Sequence, residues 1–451
     1  MKKSTCMSYE VVVVGGGPGG FPAAVAAARA GVKTLLVERN AFLGGTATSG
    51  LGNLGYIDRQ GKPALGGIPV ELLERLKSVG GAIGSFPCPV HNSITPLSPD
   101  MVKIVTSQMC CEAGVDVLYN AELSDVEVVN GRVIAISVLS KTVKFEIRSR
   151  VFIDATGDGD LAYLAGCRFR NGQSNGTMQP GTLMFTVTDY NLDAFFDYLE
   201  RNPDDYGIKE DYAKGYNVDF FRRTKGHCFI GLQKLIERAR ENGDFDVPRN
   251  QFIYITTPSD KLLSINTSRV INLDAAEPLR LSEALAEGYE QVLQILRFMN
   301  KYVPGFEHAV ISQISPTFGV RETRHFEGIE CLTIGDIYTV KTEAASIGRC
   351  AYNIDVHSAD SDTIDLTLVE RSFGIPYGCL VPKDVDGLLL SGRIISVDST
   401  VYAATRVMGP CMAVGQAAGV AAAQSAKSGT DVSGLSIAEI RKVLAAAGAV
   451  L

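Results

Sequence analysis

The chain has 451 residues, 46% of them hydrophobic and 21% charged, and a net charge of −7. That is ample material for one large or two to three ordinary globular domains, and it excludes a disordered chain. The acidic balance, with no basic cluster, argues against a nucleic-acid partner.

Val11 to Val14 form an apolar run that predicts a buried strand. Gly15-Gly-Gly17-Pro18-Gly19-Gly20 follows directly. Next comes a small-residue helix ended by Gly31, then a second buried strand from Lys33 to Val37, closed by Glu38. This is a G-x-G-x-x-G turn in its required setting of strand, helix, strand and acid. Gly15 permits the turn, Gly17 leaves room for a pyrophosphate, and Gly20 lets helix and strand approach closely. The helix N-terminus offers free N–H groups to phosphate. Glu38 stands where a carboxylate accepts hydrogen bonds from an adenosine ribose. The segment therefore predicts dinucleotide binding.

After Glu38 a loop of glycines and hydroxyl residues runs from Arg39 through Gly44-Gly45-Thr46 to Gly50, in position to touch the cofactor. Helices are expected over Pro69–Val79 and from Pro99 to Gly114, with Ser98 as N-cap. A strand is expected over Val115–Tyr119, and a hairpin over Glu122–Val138 turning at Asn130-Gly131. Val151 to Ala155 reads as another buried strand, leading into Thr156-Gly157-Asp158.

From about Cys167 to Ile314 charges and aromatics rise. Strands are expected at Phe252–Thr256 and Leu262–Asn266. Leu285, Tyr289, Val292, Leu296 and Met299 recur at helical spacing, so Leu279 to Tyr302 predicts one long amphipathic helix. The first texture then returns, with a short strand before Gly392, a helix of small residues after Gly409-Pro410, and a terminal helix over Ser436–Ala447. The expected organisation is an α/β protein: a Rossmann-like nucleotide-binding domain in two parts, 1–166 and 315–451, with an inserted α+β substrate domain over 167–314.

The ten cysteines include no Cys-x-x-Cys pair. This argues for a reducing, cytoplasmic setting without iron–sulfur or cysteine-held zinc sites, and no metal site is expected. No apolar h-region follows Met1-Lys2-Lys3, so no signal peptide is read. Cys411 to Ala426 is too short, and too interrupted by glutamine, for a membrane span.

Four segments resemble a known family: GGGPGGFPAAVAAARAG with Glu38, IDATGDGDLA from Ile153, GVRETRHFEG from Gly319, and the stretch from Leu388 to Ala422. Tyr352 to His357 also fits. The chain resembles FAD-dependent oxidoreductases of the fumarate-reductase-like branch of the glutathione-reductase superfamily. The resemblance implies FAD as cofactor. It puts the pyrophosphate on Gly15, Gly17, Pro18, Gly19 and Gly20, and the ribose on Glu38. Arg39, Gly44, Gly45 and Thr46 would run along the adenine–ribityl portion and flavin. Ala155, Thr156, Gly157 and Asp158 would close over the cofactor. Gly392, Arg393, Met412 and Gly415 would reach the ribityl chain and the pyrimidine end. Relatives commonly carry a histidine where this chain has Ser399, and the histidine that links flavin covalently in succinate-dehydrogenase-type proteins is missing. Non-covalent FAD is expected.

A flavin performs the electron transfer, and the protein supplies orientation, charge and protons. With five histidines to choose from, His357 leads as the proton-transfer group and His325 comes second. Arg321 and Arg324, three apart, could fork onto a carboxylate together with Arg406, or bridge to Glu322 or Glu327. Tyr402 lines the flavin or belongs to the core. The expected activity is oxidation or reduction of a small organic molecule. The alternatives are an electron-transfer or scaffold subunit of a redox complex, and a tRNA-modifying flavoprotein, which the acidic charge disfavours. No second G-x-G-x-x-G in a strand–turn–helix setting and no Cys-x-x-x-x-Cys follow, so no motif names the electron donor or acceptor. A homo-oligomer is left open.

Overall fold

The computed structural model describes residues 5–173, 176–206, 215–359 and 364–451. The start of the segment read for a leader, Met1 to Ser4, lies outside them. The central strand Thr5–Val14 pairs in parallel with Thr34–Val37 on one side and with Val143–Asp154 on the other, and Thr34–Val37 pairs with Asp116–Leu118. Val11 to Val14, Thr34–Val37 and Val151 to Asp154 are buried throughout, as strands covered on both faces require. Leu388–Leu390 adds in parallel to the C-terminal end of Val143–Asp154, Phe152 to Asp154. The last part of the chain thus returns to the first sheet.

The expected hairpin forms as Glu122–Val129 and Arg132–Ser140. Asn130 and Gly131 both take positive φ, 50° and 75°, as a type I′ turn demands. The sequence separated this hairpin from the strand at Val151. In the fold, Val143–Asp154 is one strand of 12 residues, and its first half completes a three-stranded meander.

The small-residue helix spans Met408–Ser428, so Gly409-Pro410 lies in its first turn and does not precede it. It packs along the helix Gly20–Arg29. A Cβ at Gly415 would stand 2.3 Å from the Gly19 carbonyl oxygen, and one at Gly419 would stand 2.1 Å from that of Ala23. The glycines are what allow the two backbones to touch.

A second, antiparallel sheet runs in the order Cys228–Gly231, Phe252–Thr256, Leu263–Ile265, Phe185–Thr188, Val310–Ile314. The helix Pro278–Tyr302 packs its buried Val292, Ile295, Phe298 and Met299 into the same core. The buried stripe is rotated from the expected one: Tyr289 is exposed, and Ala284, Gly288 and Ile295 face inward. Apolar residues on both neighbouring faces fit the i, i+3, i+4 template, and Phe298 and Ile295 carry the larger burial. Cys88, Val90 and Ile94 also join this second core, although they precede it by about a hundred residues.

Candidate active site

The parallel strands ending at Val14, Val37, Asp154 and Leu390 deliver Gly15, Glu38, Ala155 and Ser391 to the wall of one cavity of about 940 Å³. This is where open α/β sheets bind ligands. The antiparallel sheet also lines this cavity, through Ile230, Ile253 and Ile255, with Met184 just before its strand Phe185–Thr188.

The fingerprint glycines divide into two kinds. A Cβ at Gly15 (φ +98°) would lie 2.3 Å from the Ala155 carbonyl oxygen, and one at Gly20 would lie 1.7 Å from that of Gly15. Both are fixed by the protein's own backbone. At Gly17 a Cβ would meet only the Gly45 Cα, at 3.9 Å. Nothing in the protein's own backbone demands glycine at that position, and the space beside it would admit a closely approaching pyrophosphate. Glu38 is 5% exposed. Its Oε2 accepts from the Gly16 N–H at 2.6 Å, and its Oε1 accepts from the Asn40 backbone and side-chain N–H groups, both at 2.7 Å. The carboxylate ties the glycine turn to the end of the second strand and still borders the cavity.

Pro18, Gly19, Arg39, Gly45, Thr46, Thr156, Gly157, Asp158, Gly392 and Arg393 line the same cavity. Asp158 accepts from Arg393 Nη2 at 2.6 Å and from the Thr323 hydroxyl at 3.0 Å. Asp154, wholly buried, accepts from the Thr156 N–H and hydroxyl and from the Ala162 N–H, and so shapes this turn. Burial pushes its carboxyl up to about 6 against those bonds. Gly20, Gly44, Met412 and Gly415 do not reach the cavity. Gly44 faces Val102 and Thr48, Met412 is core, and Gly415 abuts Gly19. Met408 and Cys411, earlier on the same helix, stand on the cavity wall in their place.

Arg321, His357 and Arg406 border the cavity together, around Asp355. Asp355 Oδ2 accepts from the Tyr352 hydroxyl at 2.9 Å and lies 3.3 Å from His357 Nε2 and 3.8 Å from Arg406 Nη2. Arg406 Nη2 also donates to the Asp355 carbonyl at 3.0 Å. Burial would raise the Asp355 carboxyl, but His357, Arg406 and the Tyr352 hydroxyl outweigh it and hold it well below the usual range. His357 is brought down to about 3, first by burial and then by Arg321 and Arg406, against the pull of Asp355. Its ring is neutral at pH 7. Nε2–H faces the carboxylate, and Nδ1 accepts from Arg269 Nη1 at 3.4 Å. Arg321 Nη1 donates to the Pro180 carbonyl at 2.6 Å and to the Thr182 hydroxyl at 2.8 Å.

Arg324 departs from the expected fork. It pairs with Asp160 at 2.9 Å, donates to the Asp158 carbonyl, and lies over the Tyr163 ring at 4.3 Å. The segment forms no helix, and Arg324 opens the short strand Arg324–Phe326. Arg324 lines the same cavity as Arg321, with its guanidinium already engaged by Asp160 and the Asp158 carbonyl. Neither arginine meets Glu322, which accepts from the Gln179 N–H and holds the buried His325 at 2.8 Å. His325 packs on Tyr402, which is core.

Arg249 and His91 are wall residues that the sequence did not single out. His91 stacks on Tyr352, and its Nδ1 is 3.3 Å from Cys88 Sγ. Arg249 sits in the charged middle block, where no local pattern distinguishes it from a surface arginine.

A family model described as FAD dependent oxidoreductase matches residues 10–444. The chain belongs to that family. The FAD dependent oxidoreductases therefore account for the cofactor, the enzyme class and nearly the whole length of this chain. A digeranylgeranylglycerophospholipid reductase from Methanocella arvoryzae is 25% identical over 276 residues, 56% of this chain and 64% of that protein. The mitochondrial dihydrolipoyl dehydrogenase of Caenorhabditis elegans is 56% identical over 43 residues, 10% of this chain and 9% of that enzyme. The chain thus matches less than two thirds of the length of either relative. Among solved structures, a geranylgeranyl bacteriochlorophyll reductase-like protein from Thermoplasma acidophilum aligns with 97% of this chain and 83% of its own, at 14% identity and a TM-score of 0.49. Among the described residues, no helix is long and apolar enough to cross a membrane, and no cluster of histidine, cysteine and acidic side chains could hold a metal ion.

Proposed function

We propose that this protein oxidises or reduces a small carboxylate-bearing molecule at the Arg321–His357–Arg406 end of the cavity, through non-covalently held FAD. One observation carries the reading: those three residues, from separate parts of the chain, line the same cavity as the fingerprint glycines. Bound FAD would accept or supply the hydride or electrons. Gly17 and its neighbours would seat the pyrophosphate, Glu38 the ribose, and Arg393 the chain leading toward the flavin.

Arg321 is oriented by Pro180 and Thr182, and Arg406 by Asp355. Both are therefore set before an anion arrives, so little ordering remains to be done on binding. A carboxylate on these guanidiniums would cancel part of the field that keeps His357 neutral. Proton affinity at His357 would rise on substrate binding, with Asp355 ready to stabilise the imidazolium. The proton would thus be taken up when the substrate is in place. The electron donor or acceptor lies outside the motifs of this chain, and a homo-oligomer is compatible with the reading. The finer placement in a fumarate-reductase-like branch rests on the sequence segments and belongs to the same proposal.

The test is Arg321→Ala, assayed by flavin absorbance under anaerobic conditions against a metabolite panel. FAD content should stay at the wild-type level while substrate-driven flavin reduction or reoxidation is lost. Arg321→Lys should also do poorly, because an ammonium does not replace a planar fork. His357→Ala should slow turnover and change its pH profile. Unchanged turnover in Arg321→Ala would remove the residue from the site.

A further inference from the structure

We propose that Cys88 and His91 form a peroxide-reactive thiol site beside the cavity. The strands Phe86–Cys88 and Asn92–Thr95 pair as a hairpin, with Cys88 opposite Asn92. Pro89 to His91 make its turn, and Asn92 closes it at φ 62°. Asparagine is one of the few side chains that enter this region readily, and here its amide is fixed. Its Nδ2 donates to the Ala351 and Val369 carbonyls, both at 3.0 Å, and its Oδ1 accepts from Arg59 at 2.9 Å. Asn353 Nδ2 donates to the Val90 carbonyl at 2.6 Å. The clamped turn brings His91 Nδ1 to 3.3 Å from Cys88 Sγ. The His91 ring lies parallel to Tyr352, with centroids 6.3 Å apart, and borders the cavity. Cys88 itself is enclosed in the second core, at 3% exposure.

A thiol within reach of a histidine that a third group orients is the arrangement of an activated nucleophile. Burial would raise the Cys88 thiol, but the charge and hydrogen bond of His91, with backbone hydrogen bonds from His91 and Val90, hold it below its ordinary value. Burial would lower His91, and the Cys88 thiolate and Asp355 outweigh it and raise the ring. The other thiols on the cavity wall are not prepared in this way. Burial pushes Cys411 up to about 12 and Cys228 well above its ordinary value. The titratable groups around the pair are Cys228, Tyr216, Tyr352 and Asp355. Burial keeps the first three protonated. The fixed charges are Asp355, beside Tyr352, and Arg249, which acts on Cys228.

The step balances with the peroxide as the one added reactant. The Cys88 thiolate attacks one oxygen, so that an S–O bond forms and the O–O bond breaks. The departing hydroxide takes the proton of the His91 imidazolium and leaves as water. The sulfur is oxidised by two electrons to a sulfenic acid, and the peroxide is reduced by the same two. The enclosure of Cys88 favours an electrophile of this size, two bonded oxygens, over a bulky disulfide.

The experiment treats FAD-loaded protein with hydrogen peroxide at pH 7, stops the reaction with catalase, and denatures the chain in dimedone and N-ethylmaleimide together. Mass spectrometry of the peptides then gives the oxidation rate of each thiol. Cys88 should be oxidised at least about tenfold faster than Cys228 and Cys411, since each unit of thiol pKa changes the thiolate fraction about tenfold. His91→Gln should slow Cys88 by about tenfold or more at pH 7, and raising the pH above 9 should restore the rate as the thiol ionises unaided. Damage to the fold alone would not be reversed by pH. In Cys88→Ser, Cys228 and Cys411 should stay reduced, and a Cys88–Cys228 disulfide in wild type then counts as oxidation begun at Cys88. Equal rates for the three thiols in wild type overturn the proposal, even if no variant folds. An unchanged Cys88 rate in His91→Gln at pH 7 overturns it too, as does rapid oxidation of Cys228 in Cys88→Ser.

Discussion

Gly17→Ala separates what the fold needs from what the cofactor needs. Gly17 is not among the positive-φ glycines, and its added methyl would meet only the Gly45 Cα at 3.9 Å, an ordinary contact. The apo-protein should then keep its stability to within about 0.5 kcal/mol, or gain about 0.4–1 kcal/mol from the restricted unfolded chain. With FAD present the methyl intrudes on the pyrophosphate. Overpacking of this kind costs about 1–3 kcal/mol, which is about five- to 150-fold in Kd. At an FAD concentration a hundred times the wild-type Kd, the cofactor stabilises the fold by about 2.7 kcal/mol, and in the variant by about 1.8 kcal/mol or less. Melting curves with and without FAD, and a flavin fluorescence titration, read both halves. Gly20→Ala is the contrast, because its methyl would lie 1.7 Å from the Gly15 carbonyl oxygen and should destabilise the apo-protein itself. A folded Gly17→Ala with wild-type FAD affinity would refute the placement of the pyrophosphate.

Gly415→Ala should lower the apo melting temperature, by about 1–3 kcal/mol of stability or more, because its methyl would lie 2.3 Å from the Gly19 carbonyl oxygen. An unchanged apo melting temperature with weakened FAD binding would instead place Gly415 against the cofactor. Stability should also fall on acidification. Burial holds His227 at about 4 and His357 at about 3, below an unfolded value of about 6.5. The unfolded chain therefore takes the proton first, and each group's contribution is complete above about pH 6.5 and is lost as pH falls toward its folded value, by about 1.4 kcal/mol per unit. Asp154, pushed up to about 6, acts with the opposite sign, losing stability as pH rises from about 4 to about 6. A melting temperature that rises between pH 6.5 and pH 5 would contradict the histidine assignment.

The unit that walls the cavity around Gly15 and Glu38 was legible because its signal is local. Strand, glycine turn, helix, strand and acid lie within thirty residues, and period and turn chemistry fix each one. Other features depend on facts that spacing does not carry. Arg321 and Arg324 both line the cavity, but spacing does not tell that Asp160 and the Asp158 carbonyl engage Arg324 while Arg321 is held by Pro180 and Thr182. Gly415 could have been small for a cofactor or for a neighbouring helix, and the sequence pattern is the same in both cases. Arg249 becomes distinctive only when the second sheet folds over the first and leaves its guanidinium enclosed beside Asp355. Val143 to Asp154 became one strand because the meander and the parallel sheet share it, which is a property of the pairing and not of the residues at Val151.

The central claim is that the arginine end of this cavity presents an anionic substrate to the flavin. Anaerobic stopped-flow absorbance of the FAD-loaded protein tests it most directly, with carboxylate-bearing compounds, and their neutral amides, mixed against oxidised and reduced flavin. Carboxylates that change the flavin's redox state should do so far faster than their amides, and Arg321→Ala should abolish the difference while keeping its FAD. Equal rates for carboxylate and amide, or an undiminished difference in Arg321→Ala, would contradict it.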